Sequence, residues 1–268
     1  MYMENNFDNH INPNENQSES CNESQLKTEK IKPKFKTDGG TYTFILIFAI
    51  AFLVSLYFLN IYITPIKVVG LSMQPTINTQ AVNDSDQDHC DIVYYKQQEA
   101  YSRGEIIILK NENQKYTSGA NVKYLIKRII ATSGDTIRFI PDPNNSTLLI
   151  NSKMYYTIEV IDKNGDSVLS KEDYIKEEMY YKKNEENYLI ALSSETFYEI
   201  FSNLQNGTTT EFTIPDNQYF VMGDNRNNST DSRIFGCVSH EDIAGNVCLQ
   251  VEYGESVFNA ILEKLQII

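Results

Sequence analysis

Ser72 is the first residue whose surroundings suggest chemistry. It lies in residues 70–76 (GLSMQPT), with a glycine before it and a proline after it. Glycine and proline favour a turn, and a serine hydroxyl presented on a turn can act as a nucleophile when a nearby base removes its proton. The pattern alone is weak, because most serines of this kind serve only the turn. A base elsewhere in the chain must complete such a site.

Lys127 is the candidate base. It lies in residues 124–130 (YLIKRII), where strand alternation places Leu125, Lys127 and Ile129 on one face. Burial among apolar neighbours disfavours the ammonium ion and lowers the lysine pKa. To act as a base near neutral pH, the lysine needs a pKa roughly 2–3 units below about 10.4, which corresponds to about 3–4 kcal/mol. The alternative is an edge-strand lysine whose charged end reaches solvent.

A third polar segment covers residues 223–236 (GDNRNNSTDSRIFG) and follows a short apolar run. In an extended strand Asp231 and Arg233 share a face and can form an ion pair, and Ser229 has the same parity. This composition is typical either of a surface loop or of a buried hydrogen-bond network.

Short strands are the elements that must position these residues. Runs of β-branched and aromatic residues bounded by Gly, Pro, Asn or Asp predict strands. They lie at residues 92–95, 105–110, 124–131, 136–140, 219–222 and 245–251, and a closing helix is expected at residues 259–267. The chain therefore predicts a mainly β, antiparallel domain over residues 64–268.

The N-terminal residues differ from this domain. Residues 1–40 have few large apolar side chains and predict a disordered tail. Residues 43–63 carry no charge, and as a helix they span roughly 30 Å, which predicts a transmembrane anchor over residues 41–63. A buried core helix and a cleaved signal peptide are the alternatives. Lysines precede this segment, so the positive-inside rule predicts a cytoplasmic N-terminus and an extracytoplasmic domain. These are Lys27, Lys30, Lys32, Lys34 and Lys36.

The three polar segments together resemble the motifs of the type I signal peptidases, membrane-bound serine proteases with a Ser/Lys dyad. That family has GxSMxPT after a transmembrane segment, then KR-x-x-G-x-x-GD, then GDNR-x-x-S-x-DSR-x-x-G. This chain has GLSMQPT, KRIIATSGD and GDNRNNSTDSRIFG in that order, at residues 70–76, 127–135 and 223–236. The resemblance implies an antiparallel, barrel-like β fold with one N-terminal transmembrane helix and an inserted cap subdomain near residues 141–215.

The resemblance also implies roles for individual residues. Ser72 matches the nucleophile, Lys127 the general base, and Ser229 a hydroxyl that orients the lysine amine. The supporting residues matched to the same motifs are Gly70, Met73, Arg128, Asp231 and Arg233, of which the last two match a structural ion pair.

Two positions depart from the family pattern. Residues 131–135 read ATSGD where the family usually has Gly-x-Pro-Gly-Asp, which puts the turn after the lysine strand in doubt. Gly70 stands where some members carry a serine that donates to the oxyanion. The oxyanion would then be held mainly by the backbone N–H of Ser72.

The implied reaction is acyl transfer that needs no cofactor and no metal. Its substrates would be exported preproteins with small residues at positions −1 and −3 of the signal peptide, as in Ala-x-Ala. The expected surroundings are membrane lipid and the secretion translocon.

Composition argues against several other classes of protein. There are 36 acidic and 23 basic residues, and a net charge of −13 argues against nucleic-acid binding. The 4 Cys lack CxxC spacing and the 3 His lack an HExxH motif, which argues against the corresponding zinc sites. Cys237 and Cys248 can form a disulfide if their strands pair, or remain free thiols.

Alternatives to an active signal peptidase remain at this level. One is a catalytically silent, membrane-tethered scaffold, and another is a narrow-specificity relative. A penicillin-binding protein needs SxxK and a later KTG, but here SxxK occurs only at residues 24–27 and KTG is absent. In the insert, tyrosines such as Tyr174 and Tyr180 predict either contact with substrate or lipid, or simply exposed surface.

Overall fold

The computed structural model describes residues 39–117, 122–142, 153–168, 172, 174–175, 177–182 and 207–266. The chain divides into two compact units, Met1–Ile50 and Ala51–Ile268. Helix α1 (Gly39–Tyr62) begins in the first unit and ends in the second, and none of its 24 residues is charged. Within the described residues, no helix has the length and apolar character that crossing a bilayer requires. The predicted anchor is therefore not confirmed, and the predicted tail lies almost entirely outside the described residues.

The second unit is built on a seven-stranded antiparallel sheet. Its strands are β1 (Thr64–Lys67), β2 (Ile92–Lys96), β3 (Ile106–Lys110), β4 (Tyr124–Thr132), β9 (Gln218–Met222), β10 (Val238–Ser239) and β11 (Ile243–Val251). Their order across the sheet is β1-β2-β11-β3-β4-β9-β10. The mainly antiparallel β architecture is thus confirmed. The sheet is open among the described strands, because β1 and β10 each pair on one side only.

A second antiparallel sheet has four strands. They are β5 (Thr136–Pro141), β6 (Lys153–Ile161), β7 (Tyr180–Lys182) and β8 (Thr210–Thr213), in the order β7-β6-β5-β8. The sheet occupies much of the predicted insert but already starts at Thr136. Here Ile137 and Phe139 alternate inward and are fully buried.

The turn from β4 to β5 is intact despite its unusual sequence. Gly134 adopts a φ of +83°, which favours glycine, and the Asp135 amide donates to the Thr132 carbonyl at 3.0 Å. The Asp135 carboxylate accepts from the Thr132 amide at 2.7 Å and pairs with Arg103 at 3.0 Å. These contacts hold the turn without the family's usual glycine and proline.

Two short α-helices and two 3₁₀ helices, Glu112–Gln114 and His240–Asp242, complete the described structure. Helix α2 (Ser232–Phe235) is capped by the Asp231 side chain, and helix α3 (Val257–Lys264) by the Ser256 side chain. Helix α3 confirms the predicted closing helix, although it starts two residues earlier and ends three residues earlier.

Strand β4 contributes to all three buried apolar clusters of this unit. Ile130 packs in the first cluster, Ile129 in the second and Ile126 in the third. The strand is therefore buried on both faces in its central part. Because a register shift against β9 falls between Ile129 and Ala131, simple alternation does not describe its burial.

Candidate active site

Ser72 lies in the segment that follows β1, and the segment is anchored by its neighbour Met73. Met73 is 1% exposed and packs with Val68, Ile77 and Ile126 in the third apolar cluster. The Ile77 amide donates to the Met73 carbonyl at 3.0 Å. The apolar anchor thus fixes the backbone while the serine beside it lines a cavity.

Asn78 stabilises the same segment through hydrogen bonds of its side chain. Its side-chain amide donates to the Val68 carbonyl at 2.9 Å and to the Gly70 carbonyl at 3.0 Å. Its side-chain oxygen accepts from the Asp91 amide at 2.8 Å. Asn78 is fully buried, and Gly70 adopts a φ of +103°, where glycine is favoured. Asn78 was not predicted from the sequence, because it lies beyond the motif and its side-chain partners are backbone groups.

Lys127 meets Ser72 directly. Its Nζ lies 2.9 Å from Ser72 Oγ and also donates to the Ile126 carbonyl at 2.9 Å. The residue is only 3% exposed, so the alternative of a lysine that reaches solvent is wrong. Burial lowers the Lys127 pKa to about 8, against the opposing effect of Asp231. The lysine is therefore substantially neutral near pH 8, where its lone pair can accept the serine proton.

Ser229 lines the same cavity as Ser72 and Lys127. Its Oγ is buried and has no hydrogen-bond partner among the described residues. It packs behind Gly223, because a Cβ added to Gly223 would lie 2.7 Å from the Ser229 Cβ and closer still to Ser229 Oγ and the Ser72 carbonyl oxygen. The structure therefore places Ser229 beside the pair without a hydrogen bond to Lys127, and its orienting role stays a prediction.

Asp231 and Arg233 form a buried ion pair with nitrogen–oxygen distances of 2.8 Å. The pair lies at the start of α2, not along an extended strand as the spacing suggested. Asp231 also accepts from the Gly223 amide at 3.0 Å. Burial raises the pKa of this carboxyl, but the charge and hydrogen bonds of Arg233 outweigh it, so the pKa is lowered overall. The pair thereby fixes the backbone at Gly223.

Asp224 joins all three motifs at one buried carboxylate. Arg128 donates to it twice, at 2.8 Å from Nε and at 2.6 Å from Nη2. Thr76 Oγ1 donates to it at 2.5 Å. Next to it, the Asn225 amide donates to the carbonyl of Ser72 at 3.0 Å. The third segment therefore holds the backbone of the candidate nucleophile, a function that its composition alone does not reveal.

A cleft of about 440 Å³ opens beside the Ser72–Lys127 pair. Its lining includes residues 66–72, 124–127 and 228–230. Strand β1 pairs only with β2, and β4 pairs with β9 only from Arg128 onward, so β1 and residues 124–127 each have a backbone edge without a strand partner among the described residues. Such edges suit an extended peptide. In the described part of the chain, no group of three His, Cys, Asp or Glu side chains is placed to hold a metal.

The comparison with known proteins agrees with this geometry. The family model described as signal peptidase, peptidase S26, matches residues 41–251. This chain belongs to that family. The resemblance inferred from the three motifs is confirmed, and the chain is a serine peptidase of the signal peptidase I type.

Individual signal peptidases show the extent of the similarity. The chain is 34% identical over 164 residues to "Signal peptidase I" of Aquifex aeolicus, a match that covers 53% of this chain and 60% of that protein, so less than two thirds of it. It is 27% identical over 199 residues to "Signal peptidase IB" of Staphylococcus aureus strain COL, covering 74% and 83%. A solved signal peptidase I from Enterococcus faecalis V583 aligns at 21% identity and a TM-score of 0.27, covering 55% of this chain and 97% of that one.

The sequence left two alternatives open for the cysteines and for the tyrosines of the insert, and the structure bears on both. Cys90, Cys237 and Cys248 are free, so the open choice between a Cys237–Cys248 disulfide and free thiols is decided for the thiols. Burial raises the pKa of Cys237 to about 12, which makes it unreactive at neutral pH. Tyr174 is not simple surface, because its ring packs against the Arg128 guanidinium.

Proposed function

We propose that this peptidase removes signal peptides from exported preproteins, with Ser72 as nucleophile and Lys127 as general base. The observation that supports this most directly is the 2.9 Å distance between Lys127 Nζ and Ser72 Oγ. The burial that lowers the lysine pKa to about 8 supplies the neutral amine that a base requires. Family membership supports the substrate class.

The reaction proceeds by two acyl transfers. The neutral Lys127 amine takes the hydroxyl proton as Ser72 Oγ attacks the scissile carbonyl carbon, and the Ser72 backbone N–H stabilises the oxyanion. The tetrahedral intermediate collapses, the carbon–nitrogen bond breaks, and the lysine ammonium protonates the leaving amine. Water, deprotonated by the same lysine, then releases the acyl group and restores Ser72.

The substrate is proposed to bind as an extended strand in the cleft. Main-chain groups of the peptide would pair with the edge of β1 at residues 66–67 and with the edge of β4 at residues 124–127, which have no strand partner among the described residues, while alternate side chains enter the cavity. Small residues at positions −1 and −3 are the substrate feature that the family resemblance implies.

We further propose that the catalytic domain works at the outer face of the cell membrane, with a cytoplasmic N-terminus, near lipid and the secretion translocon. The uncharged residues 43–63 and the lysines before them support this topology. Alkaline carbonate extraction of membranes, with protease protection of an N-terminal tag, tests it. A chain released by carbonate would contradict the proposal.

Cleavage of a preprotein in detergent–lipid micelles tests the reaction itself. Wild type should cut after a small residue, while Ser72→Ala and Lys127→Ala should be inactive although folded. The matched controls are Ser102→Ala and Lys96→Ala, which change exposed side chains outside the cleft and should retain activity. Cleavage by Ser72→Ala would refute the assignment of the nucleophile. Inactive wild type on several preproteins would favour a silent scaffold or a narrow specialist.

A further inference from the structure

We propose that Glu172 and Tyr174, which lie outside the three motifs, are positioning residues for the Ser72–Lys127 site. They belong to the predicted insert and act through two arginines, Arg226 and Arg128. The inference rests on the proposed function for its kinetic test, although its structural test does not.

Arg226 is a residue of the third motif that the predicted insert contacts. The residue is 3% exposed. Its Nη1 donates to Glu172 Oε2 at 2.7 Å and its Nη2 to Glu172 Oε1, so the carboxylate is bound at both oxygens. Met179 of the same segment accepts from Nη1 at 3.4 Å. A buried guanidinium is strongly destabilising unless a carboxylate pairs with it, and here Glu172 provides that carboxylate from 54 residues away in the sequence.

Arg226 transmits this contact to the backbone of the active site. Its Nε donates to the Gly223 carbonyl at 3.2 Å, and its own carbonyl accepts from Arg233 Nη2 at 2.6 Å. Gly223 packs against the Ser72 carbonyl and the Ser229 side chain. If Arg226 were displaced, the Gly223 carbonyl would lose this hydrogen bond. The Gly223 backbone could then move, and with it the Ser72 and Ser229 groups that pack against it.

Tyr174 connects the same segment to the second arginine. Its hydroxyl donates to Glu172 Oε1 at 2.6 Å, and its ring lies 4.2 Å from the Arg128 guanidinium carbon. Burial raises the Tyr174 pKa, so the hydroxyl stays protonated and remains a donor. Arg128 in turn holds Asp224. One segment of the insert thus packs against both arginines that organise the site.

The backbone of the two segments is joined as well. Asn227 donates to the Glu178 carbonyl at 2.9 Å, and its side-chain oxygen accepts from the Tyr180 amide at 3.2 Å. Neither Glu172 nor Tyr174 lines the cleft. Their loss should therefore affect the turnover step more than substrate binding.

The kinetic test compares Glu172→Gln with Glu178→Gln, the same change at an exposed side chain of the segment. We expect Glu172→Gln to lower kcat roughly tenfold or more while KM stays within about twofold, because the reacting groups are misplaced and the cleft is not. Glu178→Gln should match wild type. Equal kcat values for the two variants would overturn the proposal.

A double-mutant cycle identifies Arg226 as the route. Arg226→Met should lower kcat about as much as Glu172→Gln, and the double variant should lose no more than the worse single variant. Additive losses would overturn the assignment of Arg226. Tyr174→Phe, which keeps the ring, should lose less kcat than Tyr174→Leu, and the reverse order would contradict the role of the ring. Tyr174→Leu also serves as the second variant if Glu172→Gln does not fold.

Hydrogen–deuterium exchange provides a readout that needs no substrate. Backbone amides of residues 220–236 should exchange faster in Glu172→Gln than in wild type. In Glu178→Gln their exchange rates should equal those of wild type. Identical exchange in all three proteins would overturn the proposal. If wild type cleaves no preprotein, the proposed function fails, and faster exchange in Glu172→Gln still supports the positioning role.

Discussion

Gly223 has no room for a side chain, and this predicts a large kinetic effect from one methyl group. In Gly223→Ala the new Cβ would lie 2.7 Å from the Ser229 Cβ and closer still to the Ser72 carbonyl oxygen. Carbon atoms in contact prefer about 3.5–4.0 Å, so these groups must separate by about 1 Å. The Ser229 side chain can rotate, but the Ser72 carbonyl is held by the Asn225 amide and can move only with its backbone. A misplacement of about 1 Å can cost roughly 100-fold in rate.

The assay measures kcat on a preprotein together with thermal unfolding. Gly245→Ala is the matched control, because its Cβ would lie 2.5 Å from the carbonyl carbon of Lys96, between β11 and β2. Both variants should melt at a lower temperature than wild type. Only Gly223→Ala should lose roughly 100-fold in kcat per folded molecule.

Two results would refute this reasoning. A folded Gly223→Ala with kcat close to wild type would show that Ser72 tolerates the displacement. A comparable kcat loss in Gly245→Ala would show that the effect reflects general destabilisation and not the position of the nucleophile.

Further predictions concern protonation, buried hydrogen bonds and thiols. Because only neutral Lys127 accepts a proton and its pKa is about 8, kcat/KM should rise about tenfold per pH unit below pH 8 and level off above it, and a profile flat from pH 6 to 8 would contradict this. Asn78→Ala leaves two carbonyls and an amide without their partner, and should cost about 2–4 kcal/mol of unfolding free energy in urea. Asp224→Asn removes the charge that Arg128 binds, and should cost about 3 kcal/mol in the same assay, against no loss for Asp88→Asn at the exposed surface. Under denaturing conditions without reductant, iodoacetamide should alkylate Cys90, Cys237 and Cys248, and each modification is detected as a mass shift at that residue.

Local pattern was sufficient to predict most of the strands. The expected strand at residues 124–131 is observed as Tyr124–Thr132, and the one at residues 219–222 as Gln218–Met222. Such strands can be predicted from local sequence, because each is a short β-branched run and the turn residues on either side mark where the strand begins and ends. The strand expected at residues 136–140 is observed as Thr136–Pro141, where it belongs to the second sheet.

The candidate site was predictable only in part. Ser72 and Lys127 stand out because an exposed turn and an apolar strand give each of them a recognisable setting. Asp224 and Asn78 do not, since their partners are backbone groups and side chains from distant segments. Glu172 and Tyr174 were unpredictable in principle from local pattern, because a charged, tyrosine-rich stretch looks like surface until Arg226 and Arg128 are placed against it.

The distribution of the site along the chain has a consequence for its assembly. Ser72 meets Lys127 across 55 residues, while Thr76 meets Asp224 across 148. Contacts between such remote segments form slowly, since the intervening chain must first give up its conformational freedom. During synthesis the serine segment is made early, but it stays without its supporting backbone until residue 225 has emerged. The geometry of the site is therefore expected to form late, after most of the chain has been synthesised.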